Sequence, residues 1–423
     1  MRRAILAAIV LIAAPVLAQT VPPTSGPAAD GSPAWSLKPS FPDPTGRTLV
    51  DANGVVTIPP FQGRGGGRGG RGAAPVPDTT PMALRTNDGV PGCQRSPICG
   101  RRGGLPRGQM MRVFWDPMPG WTFDYGYHLP TGTGGVPAVG LDSKGNLWVF
   151  QRRVPGEAQL MKFDPNRKLI LSVGADVLGG YQSKAHGLAV DPEDNVWITD
   201  AGFSTVLKLS PEGKLLLTLG QRGKRGDWDE SKNQRLIWQP VMVAFGRNND
   251  VYIAMGHGNE SPNDAGSDDP ENNIGAARIL HLTRDGKFIN QWFGNEVGQG
   301  KFESAHGLAV DPTNGDVWIG DREQYRIQIY SSDGKFLRTI QTRNLVCAIH
   351  FDNQGNPWMG SGQDGQFLKL DRTGKVVGAI GNGMGIGPGQ FIEASYFVFD
   401  KQGNIYTGDT SVARVTVLRT PRR

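Results

Sequence analysis

The eight residues AHGLAVDP occur twice in this chain, at Ala185–Pro192 and again at Ala305–Pro312. An identical string of this length is not expected by chance in 423 residues, so it indicates a structural unit that the chain uses more than once. Each copy also carries one of only six histidines. The repeat therefore bears on chemistry as well as on architecture.

Around these two copies, one larger unit recurs six times. It consists of a short apolar strand that ends near Asp, a turn, an aromatic-bearing strand, a loop, a third strand, a D-x-x-G-K turn and a fourth strand. The sixth unit stops after three strands. The six units are Val139–Gly174, His186–Gly220, Gln239–Gly294 and those that begin at His306, Cys347 and Ala394.

Four antiparallel strands in a repeat of about 40 to 60 residues are typical of a β-propeller blade. We therefore predict an all-β, six-bladed propeller. A propeller closes into a ring to protect its strand edges, so an N-terminal strand is expected to complete the sixth blade, and Met111–Trp115 (MRVFW) is the predicted donor. An open solenoid is the alternative, but it would need polar caps at both ends, which the sequence does not suggest.

The residues before the repeats divide into two segments. Residues 1–18 begin with an arginine pair, continue as an apolar run and end in Val16-Leu17-Ala18, a pattern typical of a secretory signal peptide. An uncleaved membrane anchor is the alternative, but Pro15 interrupts the run and its length falls short of the roughly 20 residues needed to span a bilayer. We predict export to a periplasm or the medium, a flexible Pro/Gly/Arg-rich arm over 19–108 and the propeller over 109–423.

The net charge of +6 is concentrated in the arm. Residues 1–111 hold twelve Lys and Arg against five Asp, which leaves 33 basic against 34 acidic residues in the remainder. The predicted propeller is thus nearly neutral. Although the stretch GRGGGRGGRG (63–72) is of a kind that can bind RNA, an exported protein seldom meets RNA, so we predict no nucleic-acid partner.

Export also permits disulfides. Cys93 and Cys99 lie six positions apart in the arm and are predicted to pair. Cys347 falls in an apolar strand pattern, where a small buried core residue is the simplest interpretation.

The repeat motifs resemble those of a known family. The pattern GLAVD-x-x-G-N-x-W-x-x-D followed by R-x-x-x-(Y/F)-x-x-(D/E)-G-K is similar to that of NHL-repeat propellers over residues 112–423. The segments HGLAVDPEDNVWITD, DGKFINQWFG and GDREQYRIQIY resemble, more narrowly, the peptidyl-α-hydroxyglycine α-amidating lyases. The resemblance implies a lyase with a small-molecule or peptide substrate, and we expect a monomer.

In a propeller, the first strand of each blade lines the central channel, and equivalent residues form a ring around the axis. The equivalent position, five residues before the end of the first strand, is occupied in the six units by Pro137, His186, Val241, His306, Cys347 and Ser395. The family resemblance implies a zinc ion held by histidines in blades two, four and six. His186 and His306 match the first two positions, but the third is Ser395, a poor zinc ligand. Because a thiolate binds zinc well, we predict Cys347 as a substitute ligand, against the alternative that it is core and that the histidines only bond backbone or water.

The resemblance also assigns roles to other side chains. Arg152 and Arg322 match two arginines that surround the substrate, and a guanidinium suits a carboxylate; surface ion pairs with Asp321 or Glu323 are the alternative for Arg322. His257 stands near the position of the family's catalytic tyrosine and is the predicted general base. Calcium at the family's structural site is not expected, because Tyr396 replaces its Asp.

Two functions follow from these expectations. The first is an exported, zinc-assisted, amidating-lyase-like enzyme with Arg152, Arg322 and His257 as catalytic residues and His186, His306 and Cys347 as metal ligands. The second is a binding or scaffold propeller of the same architecture whose catalytic set is incomplete at Ser395 and His257.

Overall fold

Each repeat folds into a four-stranded antiparallel sheet, and six such sheets are arranged around one axis. The computed structural model describes residues 25–26, 35–36, 115, 117–130, 133–152, 158–182, 184–256, 277–294, 302, 304–322, 325–342, 344–383 and 385–421. The first strand of each blade packs against the first strand of the next blade, and the sixth returns to the first. The predicted six-bladed β-propeller is confirmed.

The strands of the N-terminal segment and of blades one to three are given first. They are β1 (Ser25–Gly26), β2 (Trp35–Ser36), β3 (Thr122–Asp124), β4 (Gly135–Leu141), β5 (Leu147–Arg152), β6 (Leu160–Phe163), β7 (Leu169–Val173), β8 (Ala185–Val190), β9 (Val196–Asp200), β10 (Thr205–Leu209), β11 (Leu215–Leu219), β12 (Trp228–Asp229), β13 (Gln234–Arg235), β14 (Pro240–Phe245), β15 (Val251–Met255), β16 (Arg278–Leu282) and β17 (Phe288–Phe293).

Blades four to six follow in the same order. Their strands are β18 (Ala305–Val310), β19 (Val317–Asp321), β20 (Arg326–Tyr330), β21 (Phe336–Gln341), β22 (Ala348–Phe351), β23 (Pro357–Ser361), β24 (Gln366–Leu370), β25 (Val376–Ile380), β26 (Phe397–Phe399), β27 (Ile405–Asp409) and β28 (Val412–Arg419). Short 3₁₀ turns lie at Glu230–Lys232 and Gly362–Asp364. In the described part of the chain, no helix is long and apolar enough to cross a membrane.

The D-x-x-G-N turns explain why the repeat is so regular. In blade two, the Asp191 carboxylate accepts the backbone N–H groups of Glu193 and Asn195 and the indole N–H of Trp197. The turn thereby fixes the hairpin between the first two strands and orients a tryptophan that is buried in the core. The same Asp-to-backbone bonds recur at Asp142, Asp352 and Asp400.

The ring is closed by a strand from the N-terminal side, as predicted, but not by the predicted one. β28 pairs with Thr122–Asp124, in the register Leu418 opposite Phe123, and Trp115 instead lies beside blade five, where its backbone bonds to Gln366. The choice of Met111–Trp115 was wrong because apolarity alone selected it. The closing strand TFD pairs with β28, buries Phe123 in the core and binds two arginines through Asp124.

Asp124 is fully buried at this closure. It accepts hydrogen bonds from Arg419 at the end of β28, from Arg167 in blade one and from the Gly126 amide. Burial alone would raise the pKa of the Asp124 carboxyl, but the bonds from Arg419, Gly126 and Arg167 outweigh it, so that the pKa is lowered on balance. One carboxylate therefore joins the closing strand to the last and the first blades.

The predicted signal peptide (1–18), most of the predicted arm (19–108) and the predicted Cys93–Cys99 pair lie outside the described residues. They remain predictions.

Replacement of Asp124 by Asn is expected to lower the free energy of unfolding by roughly 2–4 kcal/mol at neutral pH, because it leaves two arginines without their carboxylate. A carboxyl whose folded-state pKa is lowered contributes stability above the unfolded-state pKa of about 4, and this contribution is lost as the pH falls through the folded-state pKa. The difference in the free energy of unfolding between the wild type and Asp124→Asn should therefore become smaller as the pH is lowered. Urea unfolding between pH 3 and 8 measures it.

Glu193→Gln provides the control for this experiment, since Glu193 forms an exposed ion pair with Arg284. It should change stability by at most about 1 kcal/mol. Equal effects of the two substitutions would contradict the role of Asp124 in ring closure.

Candidate functional site

Four of the six first strands contain a β-bulge at the end that faces the predicted ring of residues. The register shifts by one residue between Gly135 and Ala138, Ala185 and Leu188, Pro240 and Met242, and Ala305 and Gly307. A bulge adds a residue to one strand and redirects its side chain. His186 and His306 lie in two of these bulges.

The bulges bring the two histidines together. Their ring centroids are 4.7 Å apart, with an interplanar angle of 67°, and both side chains are buried. The predicted convergence of blades two and four on one axial point is therefore observed in the geometry. Two buried imidazoles from alternate blades are thus in direct contact at the axis.

Each histidine is oriented by the next blade. His186 Nδ1 lies 3.0 Å from the carbonyl oxygen of Val241, and His306 Nδ1 lies 2.6 Å from that of Cys347. A carbonyl oxygen can only accept a hydrogen bond, so the neutral rings carry their proton on Nδ1 and their lone pair on Nε2. Fixation of one ring nitrogen by a backbone carbonyl is the usual arrangement of a metal-binding histidine.

The third position of the alternate-blade set is filled differently. The Ser395 hydroxyl lies 3.3 Å from that of Thr410, whereas the neighbouring Tyr396 reaches the histidines. Its ring lies 5.5 Å from that of His186 and is stacked parallel to that of His306 at 5.8 Å. Its hydroxyl bonds His186 Nδ1 and the carbonyl oxygens of Val241 and His306.

Sequence reasoning missed Tyr396 as a member of this cluster. The strand register aligns Tyr396 with Gly307 of blade four, and blade two likewise has a glycine, Gly187, after its histidine. An aromatic residue at the position that is glycine in both histidine-bearing blades was the available signal. A Cβ on Gly187 would lie 2.4 Å from the Val241 carbonyl oxygen, so the histidine-bearing blade has no room for a side chain there.

Arg152 and Arg322 occupy the same register position, four residues after the blade tryptophan, in blades one and four. Both are buried at 6% exposure. Blades one and four lie opposite each other in a ring of six, so the two guanidinium groups approach the axis from opposite sides. Arg152 Nε donates to the carbonyl oxygen of Ala185, next to His186.

Both arginines act electrostatically on Tyr396. Burial raises the pKa of the Tyr396 phenol well above its ordinary value, and the positive charges of Arg322 and Arg152 oppose this rise. The carboxylate of Asp321, the alternative partner considered for Arg322, is bound by Arg326 at 2.7 Å. The arginines, the histidines and Tyr396 thus share one axial end of the propeller.

The loops that lead to this end are held by a recurring bond. A side chain at the end of the second strand accepts a backbone N–H from the loop before the ring position. The donor and acceptor residues are Gly134 and Gln151, Lys184 and Asp200, Ser304 and Asp321, and Ile392 and Asp409. Buried acceptors of this kind fix the backbone from which the site residues project.

Cys347 is fully buried beside Tyr325 and Leu345. Its carbonyl orients His306, and it lies close enough to Tyr396 to influence the pKa of the phenol. In the described ranges, no group of three or more His, Cys, Asp or Glu side chains is arranged to hold a metal ion. Of the three predicted ligands, the structure brings His186 and His306 together, and metal binding by these histidines and Cys347 stays a prediction.

His257, the predicted base, lies outside the described residues. The chain is described up to Gly256, whose amide bonds the carbonyl oxygens of Trp238 and Gln239.

Comparison with known proteins agrees with this fold. The NHL repeat matches residues 302–330. The chain is 29% identical over 291 residues to the peptidyl-glycine alpha-amidating monooxygenase of Mus musculus, covering 59% of this chain and 27% of that protein. It is 31% identical over 233 residues to the peptidyl-alpha-hydroxyglycine alpha-amidating lyase 1 of Drosophila melanogaster, covering 48% and 39%. The matches thus span well under half of each relative's length.

Among solved structures, a gluconolactonase from Xanthomonas campestris has a TM-score of 0.51 at 15% identity, covering 75% of this chain and 99% of that one. This similarity shows the fold alone. Together with the sheet topology, it confirms the six-bladed propeller fold. The chain contains an NHL repeat at residues 302–330 and is similar in sequence to the peptidyl-α-hydroxyglycine α-amidating lyases.

Substitution of Gly187 by Ala is expected to destabilise the protein by about 1–3 kcal/mol, because the added methyl group would displace the Val241 backbone that orients His186. Gly307→Ala is the matched control, since a Cβ at that position meets its nearest neighbour at 3.2 Å. Thermal unfolding of both variants tests the difference. A Gly187→Ala protein at least as stable as Gly307→Ala would contradict the bulge geometry.

Proposed function

We propose that this chain is a carbon–nitrogen lyase that acts on an acylated 2-hydroxyglycine at the axial end of its propeller. One observation carries the proposal: two buried imidazoles with centroids 4.7 Å apart lie at the same end as two buried arginines from opposite blades. The similarity to the amidating lyases supports the same reaction class.

The proposed reaction removes glyoxylate from the substrate R–CO–NH–CH(OH)–COO⁻. A base takes the proton of the hydroxyl group, the C–O bond becomes C=O, and the C–N bond breaks with its electron pair going to nitrogen. The nitrogen then takes up a proton. The products are the primary amide R–CO–NH₂ and glyoxylate, so atoms and charges balance without an oxidant or reductant.

Arg152 and Arg322 are proposed to bind the substrate carboxylate. A guanidinium is permanently charged and offers a planar pair of donors to a carboxylate. Because both groups are buried, their attraction for an anion is screened less than that of surface arginines. Placed between opposite blades, the carboxylate would orient the adjacent carbon toward the histidine pair.

His257 is proposed as the base that takes the hydroxyl proton. Histidine is the side chain whose ordinary pKa lies nearest neutral pH, which suits proton transfer in both directions. Return of this proton to the amide nitrogen would complete the cycle. The phenol of Tyr396 is unsuited to this role, since burial raises its pKa well above its ordinary value.

A zinc ion is the proposed cofactor, with His186 and His306 as ligands and Cys347 as the third. Bound zinc supplies a Lewis acid that increases the acidity of a hydroxyl group. The Nδ1 bonds of both histidines to backbone carbonyls support the assignment, because they leave Nε2 as the coordinating atom. Calcium is not proposed, since Tyr396 occupies the position at which an acidic ligand was expected.

A non-catalytic binding propeller is the second candidate. It is favoured by the Ser395 hydroxyl, which faces Thr410 rather than the histidines. In either case, we propose export through residues 1–18 and action on a substrate outside the cytoplasm.

The assay that separates the two candidates uses the chain from Gln19 onward with a peptide that ends in 2-hydroxyglycine. Formation of glyoxylate and peptide amide in equal amounts supports the lyase. Peptide binding without either product supports the binding propeller and contradicts the lyase.

Arg152→Lys and Arg322→Lys are each expected to lower kcat/KM for this substrate by about 10- to 100-fold, because a lysine cannot make the paired bonds to a carboxylate. Arg284→Lys, at an arginine that is 60% exposed, is the control and should leave the kinetics unchanged. Steady-state rates of glyoxylate formation measure the effect. Lysine variants with wild-type kinetics would show that the carboxylate binds elsewhere.

Removal of zinc with a chelator is expected to abolish glyoxylate formation, and added zinc should restore it. His186→Gln and His306→Gln should each lose bound zinc in metal analysis, whereas His128→Gln, at an exposed histidine, should retain it. Cys347→Ser tests the predicted third ligand in the same way. Full activity of a metal-free protein would remove zinc from the proposal.

A further inference from the structure

We propose that Tyr396 is a positioning residue that fixes the imidazoles of His186 and His306 relative to each other by bridging them across the propeller axis. The inference rests on the proposed function for the use of the histidine pair. It concerns a residue of blade six that touches the histidines.

The hydroxyl of Tyr396 connects three other blades. It lies 3.1 Å from His186 Nδ1 in blade two, 3.1 Å from the carbonyl oxygen of Val241 in blade three and 3.0 Å from the carbonyl oxygen of His306 in blade four. Both carbonyls can only accept, so the phenol must donate its single proton to one of them. His186 must then donate its Nδ1 proton to the phenol or to Val241.

The ring of Tyr396 adds a second restraint. It is parallel to the ring of His306 within 9° at a centroid distance of 5.8 Å, and it meets the ring of His186 at 67° and 5.5 Å. With the histidine separation of 4.7 Å, the three rings form a triangle. Its members come from blades two, four and six, which are every second blade of the ring.

Through Tyr396, the side chain of His186 is therefore linked both to the main chain and to the imidazole ring of His306. The Val241 carbonyl fixes His186 to blade three, and the Cys347 carbonyl fixes His306 to blade five. The Tyr396 hydroxyl provides a hydrogen-bonded link from the His186 ring to the blade of His306. Loss of the hydroxyl should therefore change how the two Nε2 atoms are placed relative to each other while leaving each ring its own carbonyl.

Tyr396 does not serve as the base of the proposed reaction. Its hydroxyl proton is needed by the facing carbonyl oxygens, and the side chain is 2% exposed. An ionised phenol in this position would turn a negative charge toward two carbonyl oxygens in a buried site, which is strongly unfavourable.

Tyr396→Phe tests the bridge, because it removes the hydroxyl and keeps the ring. Tyr406→Phe is the matched control, since Tyr406 is a partly buried tyrosine of the same blade that packs against Tyr127 instead. We expect Tyr396→Phe to weaken zinc binding about 10- to 100-fold, as expected for loss of a group that orients metal ligands. Tyr406→Phe should bind zinc as the wild type does.

A second measurement reports on the bridge without metal or substrate. In protein labelled with ¹⁵N at the histidine side chains, the His186 signals are identified by their absence in His186→Gln. In Tyr396→Phe, the Nδ1 signal of His186 should shift and its proton should exchange faster with water, whereas in Tyr406→Phe both should match the wild type. Circular dichroism of each variant confirms that the propeller is folded.

An unchanged His186 Nδ1 signal in folded Tyr396→Phe would overturn the proposal. If the wild type binds zinc, a Tyr396→Phe protein that binds zinc with the same affinity would overturn it as well. If the wild type binds no zinc and releases no glyoxylate, the proposed function fails, and the histidine signals alone decide whether Tyr396 forms the bridge. The two failures are therefore distinguishable.

Discussion

Closure of the ring is the constraint on which the rest of this structure depends. The last strand, Val412–Arg419, pairs with Thr122–Asp124 from the other end of the fold, and Asp124 binds arginines on both sides of the junction. An open ring would expose strand edges and leave the first strands without a common axis. Only when six blades close do residues that are 120 positions apart, His186 and His306, meet at one point.

The axial end buries several charged and polar side chains next to one another. Two arginines, two histidines and a tyrosine are buried there, and burial of charged and polar groups is unfavourable unless each is bonded. Backbone carbonyls of neighbouring blades meet part of this need, since they bind His186, His306, Arg152 and Tyr396. The result is a buried site with two arginines and fixed imidazoles, as the proposed cleavage of a carboxylate substrate would require.

The recurring sequence pattern and its spacing were sufficient to predict the number of blades, the type of sheet and the meeting of His186 with His306. These features depend on local turns and on the number and order of the repeats. In the D-x-x-G-N turns, the Asp carboxylate accepts backbone N–H groups of the same turn. The closing strand was predicted wrongly, because apolarity selected Met111–Trp115, whereas the strand that closes the ring contains a buried aspartate whose arginine partners are distant in sequence. Tyr396 was missed because its contacts reach across the axis to three other blades. The local signal, an aromatic residue where both histidine-bearing blades have glycine, does not by itself show which groups the side chain contacts.

The central claim is that His186 and His306 form one ion-binding unit at the axis. Anomalous diffraction at the zinc absorption edge, recorded from crystals of the zinc-loaded protein, tests it most directly. The account predicts a single strong peak within coordination distance of Nε2 of both histidines, about 2.0–2.1 Å from each. A map without a peak between the two imidazoles, or with the ion bound to only one of them, would contradict it.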